Sequence, residues 1–163
     1  MLIVPYRHPL LIARMAANLN DLSGGRLVLG VGVGWAEQEF DALGVPFRQR
    51  GKLTDDYLRA VRAAWADEQD YRSGRIPIWV GGNSDAGLRR AVLLGEAWHP
   101  LRFTIPWLRK AMDQLTALAD EQQRPVPAWS RASPCGWPNH RSPAPGGWPV
   151  TERSGRSSTI WPS

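Results

Sequence analysis

Apolar and polar positions change period repeatedly along residues 2–125 of this 163-residue chain, and each change predicts an element. "LIV" (2–4) is a short apolar run closed by Pro5, the end of a buried strand. In "PLLIARMAANLNDLSGG", Leu11, Ile12, Met15, Leu19 and Leu22 recur at helical spacing. Pro9 suits the first turn of that helix, and the glycines of "SGG" stop it. "RLVLGVGVGW" (26–35) is a continuous apolar run between turn signals, as in a strand buried on both faces of a parallel sheet.

"AEQEFDALGVP" reads as one short helix closed by Gly44. "LTDDYLRAVRAAW" follows as a helix with Leu53, Tyr57, Leu58, Val61 and Trp65 on one face. "IPIWVGG" (76–82) is a second compact strand, and Ser84 or Asn83 can cap the helix "DAGLRRAVLLG" after it. "EAWHPL" is a short fourth strand. Thr104 caps a last helix, "IPWLRKAMDQLTALADEQQ", with Leu108, Met112, Leu115 and Ala119 inward. Strands alternating with helices argue an α/β fold on a parallel sheet. Two layouts satisfy the order: an open doubly wound sheet, or an arc of a (β/α) barrel.

The pattern ends near residue 128. Residues 128–163 form a tail rich in Trp, Pro, Ser and Arg, with no leucine, lysine or aspartate. Too few aliphatic groups remain there to offset chain entropy, so disorder is expected. Trp, Pro, Arg, Ser and Gly are also what a GC-rich gene yields out of frame, and a frameshift is the reading that follows. Residues 1–127 are then the folded domain.

Net charge is +5, which would suggest nucleic acid if it formed a stripe. It does not: residues 1–128 hold 16 Lys and Arg against 14 Asp and Glu, and residues 129–163 hold 4 against 1. No nucleic-acid partner is expected. A single cysteine, Cys135, excludes an internal disulfide framework and a multi-cysteine metal site. "MLIVPYRHPLLI" is too short and too interrupted to span a membrane or to serve as a secretory leader. The expectation is a cytoplasmic protein with no membrane partner.

Candidate chemistry gathers where strands end. The four runs exit into "PYRHP", "GVGW", "VGGNS" and "WHP", on the rim where α/β folds bind ligands. Alternation puts Gly30, Gly32 and Gly34 on one face, leaving bare main chain. Close packing by a neighbouring element would explain this, and so would a flat ligand or a phosphate against the backbone. The spacing is not the dinucleotide fingerprint, because Trp35 and Glu37 stand where glycine would be needed. "VGGNS" joins a strand, two glycines and a capped helix start, which is either an ordinary tight turn or an anion site. His8 and His99 are candidate catalysts or hydrogen-bonded structural residues. Arg7 is a phosphate partner or a solvated charge, and Glu37 and Glu39 are acids or a solvated helix face.

"LSGGRLVLGVGVGWAEQEFDALGVPFRQRGKLTDDYLRAVRAAW" and "IPIWVGGNSDAGLRRAVLLGEAWHPL" closely resemble the luciferase-like monooxygenase family, and within it the actinobacterial deazaflavin-dependent oxidoreductases. The likeness runs over nearly all of residues 2–125. It implies a TIM barrel, of which this chain supplies about the third strand through the helix after the sixth. It also implies FMN or the deazaflavin coenzyme F420 lying across the strand ends, with its phosphate near the rim. Gly32, Gly34 and Trp35 match the family's glycine-rich strand end beside the cofactor, and Gln38 a polar position on the following loop. Gly81, Gly82 and Asn83 match the phosphate-side turn. Leu2 falls where the family often places a strained bulge behind the ring.

By resemblance, the chemistry is hydride transfer or oxygen activation on a small-molecule substrate, with reduced cofactor from a reductase or another donor. Three departures bear on this. The first two strands are absent, only ten residues separate Trp65 from Ile76, and the tail replaces strands seven and eight. Glu96 also stands where an aspartate is usual. A closed barrel needs about 250 residues, so the alternative is an inactive truncated piece that persists as a fragment or homo-oligomer.

Overall fold

The structure, a computed structural model, describes residues 1–66 and 76–128. The tail beyond residue 128, with its expected disorder, and most of the connection before Ile76 lie outside the described residues.

Four strands, β1 (Leu2–Ile3), β2 (Leu29–Gly32), β3 (Ile78–Gly81) and β4 (Ala97–His99), form one sheet in the order β1-β2-β3-β4. Every neighbouring pair is parallel. Five helices alternate with them: α1 (Pro9–Leu22), α2 (Glu37–Ala42), α3 (Arg50–Ala66), α4 (Asp85–Leu94) and α5 (Ile105–Glu121). A doubly wound sheet reverses its strand order at a switch point. Among the described residues the order never reverses, and α1, α3, α4 and α5 pack on one side of the sheet. The architecture is an arc of a (β/α) barrel.

The helix side of the sheet carries Val31, Ile78, Val80 and Trp98, which are buried with Ile12, Leu58, Val61, Leu88 and Leu115 in one core. The other side presents Gly30, Gly32, Trp79, Gly81, Ala97 and His99, following the period of two. The strands are shorter than their apolar runs: the run 26–35 contributes only four residues, and "EAWHPL" three. Leu2 pairs in regular parallel register with Val31, and a 3-10 turn (Val4–Tyr6) follows at once.

The caps follow the sequence closely. Ser84 Oγ accepts from the Gly87 amide and Thr104 Oγ1 from the Trp107 amide. Past α1, Gly24 and Gly25 take φ of 65° and 79°, and the Gly25 amide reaches back to the Asn20 carbonyl.

One expected face is corrected. On α1 the buried residues are Pro9, Ile12, Ala13, Ala16, Ala17 and Asn20, whereas Leu11, Met15, Leu19 and Leu22 are exposed. Helix α1 packs closely along α3, and close approach of two helix axes selects small side chains. Two ion pairs brace the helix layer. Buried Arg90 on α4 donates to Asp55 and to the Gly51 carbonyl at the start of α3. Arg62 donates to Glu96, whose carboxylate also accepts from the Ile78 amide at 2.7 Å.

Candidate functional site

Register decides which of the expected site residues meet. Val31 pairs with Val80 and Gly81 with His99, so one step along the strands Gly32 and Gly81 stand side by side. With Ile3 opposite Gly32, the last interior row reads Ile3, Gly32, Gly81, His99. The row before it holds Gly30, Trp79 and Ala97. The result is a strip of bare main chain with Ile3 at one end and His99 at the other. The Trp79 and His99 rings lie 6.5 Å apart, tilted by 33°.

The strip is covered by the chain's own first residue. A Cβ at Gly81 would lie 2.2 Å from Met1 Sδ and 2.5 Å from Met1 Cε, and Cβ atoms at Gly30 and Gly32 would touch the same side chain at 3.6 and 3.7 Å. Met1 is 58% exposed. A thin, flexible thioether therefore fills the space that the glycines open, and no core side chain does. A flat aromatic group would fit that cradle in place of the thioether.

Gly34 does something else. Strand β2 ends at Gly32, and Gly34 turns off it at φ 80°, where a Cβ would meet Ile3 Cγ2 and Phe40 Cε2 at 2.8 Å. Close packing explains this glycine, and alternation does not carry it onto the strip. Beneath it Phe40 is fully buried, edge-on to Tyr6 and to Phe47. The Tyr6 hydroxyl donates to Glu39 at 2.6 Å. Half-burial, then that hydrogen bond and the carboxylate's charge, push the Tyr6 phenol up to about 12. Trp35 is 86% exposed, and Gln38 is exposed on the first turn of α2. Both stand on the rim, off the strip.

The β3–α4 turn holds Gly82, Asn83 and Ser84. Gly82 adopts φ 131°, a glycine conformation, and its carbonyl accepts from Trp98 Nε1 at 2.8 Å. Asn83 closes a two-way clamp on the next loop: its Nδ2 donates to the Leu101 carbonyl, and its Oδ1 accepts from the Leu101 amide at 2.8 Å. Its side chain is thus committed to the β4–α5 loop, and the backbone of the turn faces the rim ahead of α4. Glu37 is an exposed residue of the first turn of α2. Arg7 is exposed. His8 caps α1, its Nδ1 accepting from the Leu10 amide.

Sequence reasoning missed three participants. Met1 as a cover for the glycines has no local signal. Trp98 as a brace for Gly82, and Asn83 as a clamp rather than a cap, depend on strand register, which the sequence does not spell out. Among the described residues no group of three or more His, Cys, Asp or Glu could hold a metal, and no helix is long and apolar enough to cross a membrane.

Comparison with known proteins agrees with this architecture. The family model described as luciferase-like monooxygenase matches residues 1–135. A putative coenzyme F420-dependent oxidoreductase of Mycobacterium tuberculosis is 36% identical over 104 residues, covering 61% of this chain and 29% of that protein. The 5,10-methylenetetrahydromethanopterin reductase of Methanolobus tindarius is 27% identical over 147 residues, 77% of this chain and 45% of that one. Among solved structures, the EDTA monooxygenase EmoA from Chelativorans sp. BNC1 superposes with a TM-score of 0.62 at 20% identity, over 75% of this chain and 39% of its own. The chain spans less than half the length of these curated relatives.

Proposed function

Since the chain belongs to the luciferase-like monooxygenase family, we propose that it performs oxidoreductase chemistry with a flat redox cofactor, FMN or coenzyme F420, held against the Gly32–Gly81 strip. The observation that carries the reading is the adjacency of those two glycines at the ends of neighbouring parallel strands, under a displaceable side chain. The name of the mycobacterial relative speaks for F420.

When bound, such a cofactor supplies hydride transfer or oxygen activation at its ring, and the protein supplies orientation and electrostatics. Gly32 and Gly81 admit a ring to the main chain, where any larger side chain would stand in the way. Trp79 and His99 border the seat on the β3–β4 side. Gly82 and Asn83 lead into α4, whose first amides and dipole favour a phosphate. The core behind the strip, sealed by Val31, Val80 and Trp98, keeps water from the covered side of the ring. A small-molecule substrate and a donor of reduced cofactor complete the proposal.

The test is a titration of the purified full chain with F420 and, separately, FMN, followed by cofactor fluorescence, for the wild type and Gly81→Val. Quenching or a spectral shift in the wild type that weakens at least tenfold in the variant supports the reading. Unchanged fluorescence of both cofactors over the wild type overturns it. A second reading, a chain with no catalysis of its own, is favoured by one observation: among the described residues, four strands form an arc of a barrel. Cofactor binding without turnover of any reduced cofactor in air would support it.

A further inference from the structure

We propose that His99 selects the cofactor: its imidazolium favours a ring that carries negative charge, and so coenzyme F420 over FMN. The inference rests on the cofactor reading and chooses within it. It starts from the asymmetry of the last interior row, where Ile3, Gly32, Gly81 and His99 stand side by side. Neighbouring strands lie about 4.8 Å apart, so the imidazole is one strand from the bare main chain of Gly81 and two from that of Gly32. The row before it holds Gly30, Trp79 and Ala97, and the Met1 thioether lies across the glycines. Of these described side chains, His99 alone titrates near neutral pH. Its place is fixed from several sides. Trp98 before it and Pro100 after it are buried, its carbonyl accepts from the Gly82 amide at 3.4 Å, and its ring is tilted against that of Trp79. The side chain is half-buried, so a charge on it is screened less than one in open water.

The two candidate rings differ in the property that such a group senses. The deazaflavin carries a phenol that ionises near neutral pH and spreads its negative charge over the whole tricycle, whereas the FMN ring is uncharged there. Because that charge is spread, either edge of a ring laid over Gly32 and Gly81 brings part of it to the imidazole. Imidazolium and ring anion stabilise each other: the histidine lowers the ionisation midpoint of the ring, and by linkage the ring raises that of the histidine. Among the described residues, β1, β2 and β3 add no titratable side chain to either row. The adjoining segments bring the Met1 amine ahead of β1, Asp85 on the first turn of α4 and Arg102 after β4. Asp85 accepts from Gln114 Nε2 at 2.9 Å. Asp85 and Arg102 are exposed and of opposite sign, so solvent and salt weaken what they add. His99 sets the sign of the seat.

The test titrates the purified full chain with F420 and, separately, FMN, between about pH 5 and about pH 9, for the wild type and His99→Gln. Phenol and phenolate forms of the deazaflavin absorb at different wavelengths, so the spectrum of the bound ring reports its ionisation directly. On the wild type its midpoint should fall below that of free F420 by roughly 0.7 unit, equivalent to about a fivefold preference for the anion. That comparison needs no variant. In His99→Gln, which keeps a hydrogen-bonding group without the charge, the midpoint should return to the free value. Affinity for F420 near about pH 6.5 should then fall about fivefold, and affinity for FMN by less than about twofold. A midpoint that is the same free, on the wild type and on His99→Gln overturns this inference and leaves the cofactor reading standing. An equal loss of both cofactors in the variant does the same, as does a wild type that binds FMN and not F420. Binding of neither cofactor to the wild type removes both.

Discussion

At Gly34 a single methyl group would collide with Ile3 and Phe40 at 2.8 Å and force a side chain into φ 80°. Strain at such a backbone and overpacking each cost about 1–3 kcal/mol. Gly34→Ala should therefore lower the free energy of unfolding by about 2 kcal/mol or more in urea denaturation. Gly81→Ala makes the opposite case. Its Cβ meets only the far end of Met1 closely, which can swing away, so stability should change by less than about 1 kcal/mol while cofactor affinity falls. The two glycines look alike in the sequence and differ because one leaves the strand and the other stays in it. Tyr6 offers a readout of the packing around Phe40, beneath Gly34. An unfolded phenol ionises near 10.0 and this one near 12, so the stability its neutral form contributes is whole below pH 10 and is lost as pH rises toward 12. The ultraviolet absorbance difference between wild type and Tyr6→Phe should show phenolate appearing near pH 12, and Glu39→Gln should lower that midpoint. A midpoint at the ordinary tyrosine value would contradict the Tyr6–Glu39 contact.

Elements were legible wherever a local device marks them. Pro9, Ser84 and Thr104 begin helices, and the glycines after Ser23 end one, because capping acts within a few residues. The inward face of α1 was not legible. Leucine outweighs alanine in any hydropathy pattern, yet the distance between α1 and α3 rewards Ala13, Ala16 and Ala17. Arg90 and Glu96 were opaque for a related reason: a charged residue within helix or strand text gives no sign that its partner lies some 18–39 residues away. Glu96 holds β3 and β4 in step by accepting from both Arg62 and the Ile78 amide. Glu96→Ala should cost about 1–3 kcal/mol, the penalty for stranding a half-buried donor, seen as a lower denaturation midpoint. Glu96→Gln, which keeps an acceptor for the amide, should recover part of that loss.

For the whole molecule, the alternating pattern settled the fold class but left open and closed sheets equally available. The unreversed order β1-β2-β3-β4 decides between them, and it rests on pairings between distant segments that periodicity cannot see. The glycine strip was partly legible: "GVGVGW" and "VGGNS" marked the two strand ends, whereas their adjacency awaited the register. The link between Asn83 and the next loop has a practical consequence. Because the Leu101 amide is held by the Asn83 side chain, its proton reports on the turn from a site that no ring needs to touch. Deuterium uptake at Leu101 should slow several-fold when a phosphorylated cofactor stiffens that turn, and in Asn83→Ala it should run fast whether or not the cofactor is added.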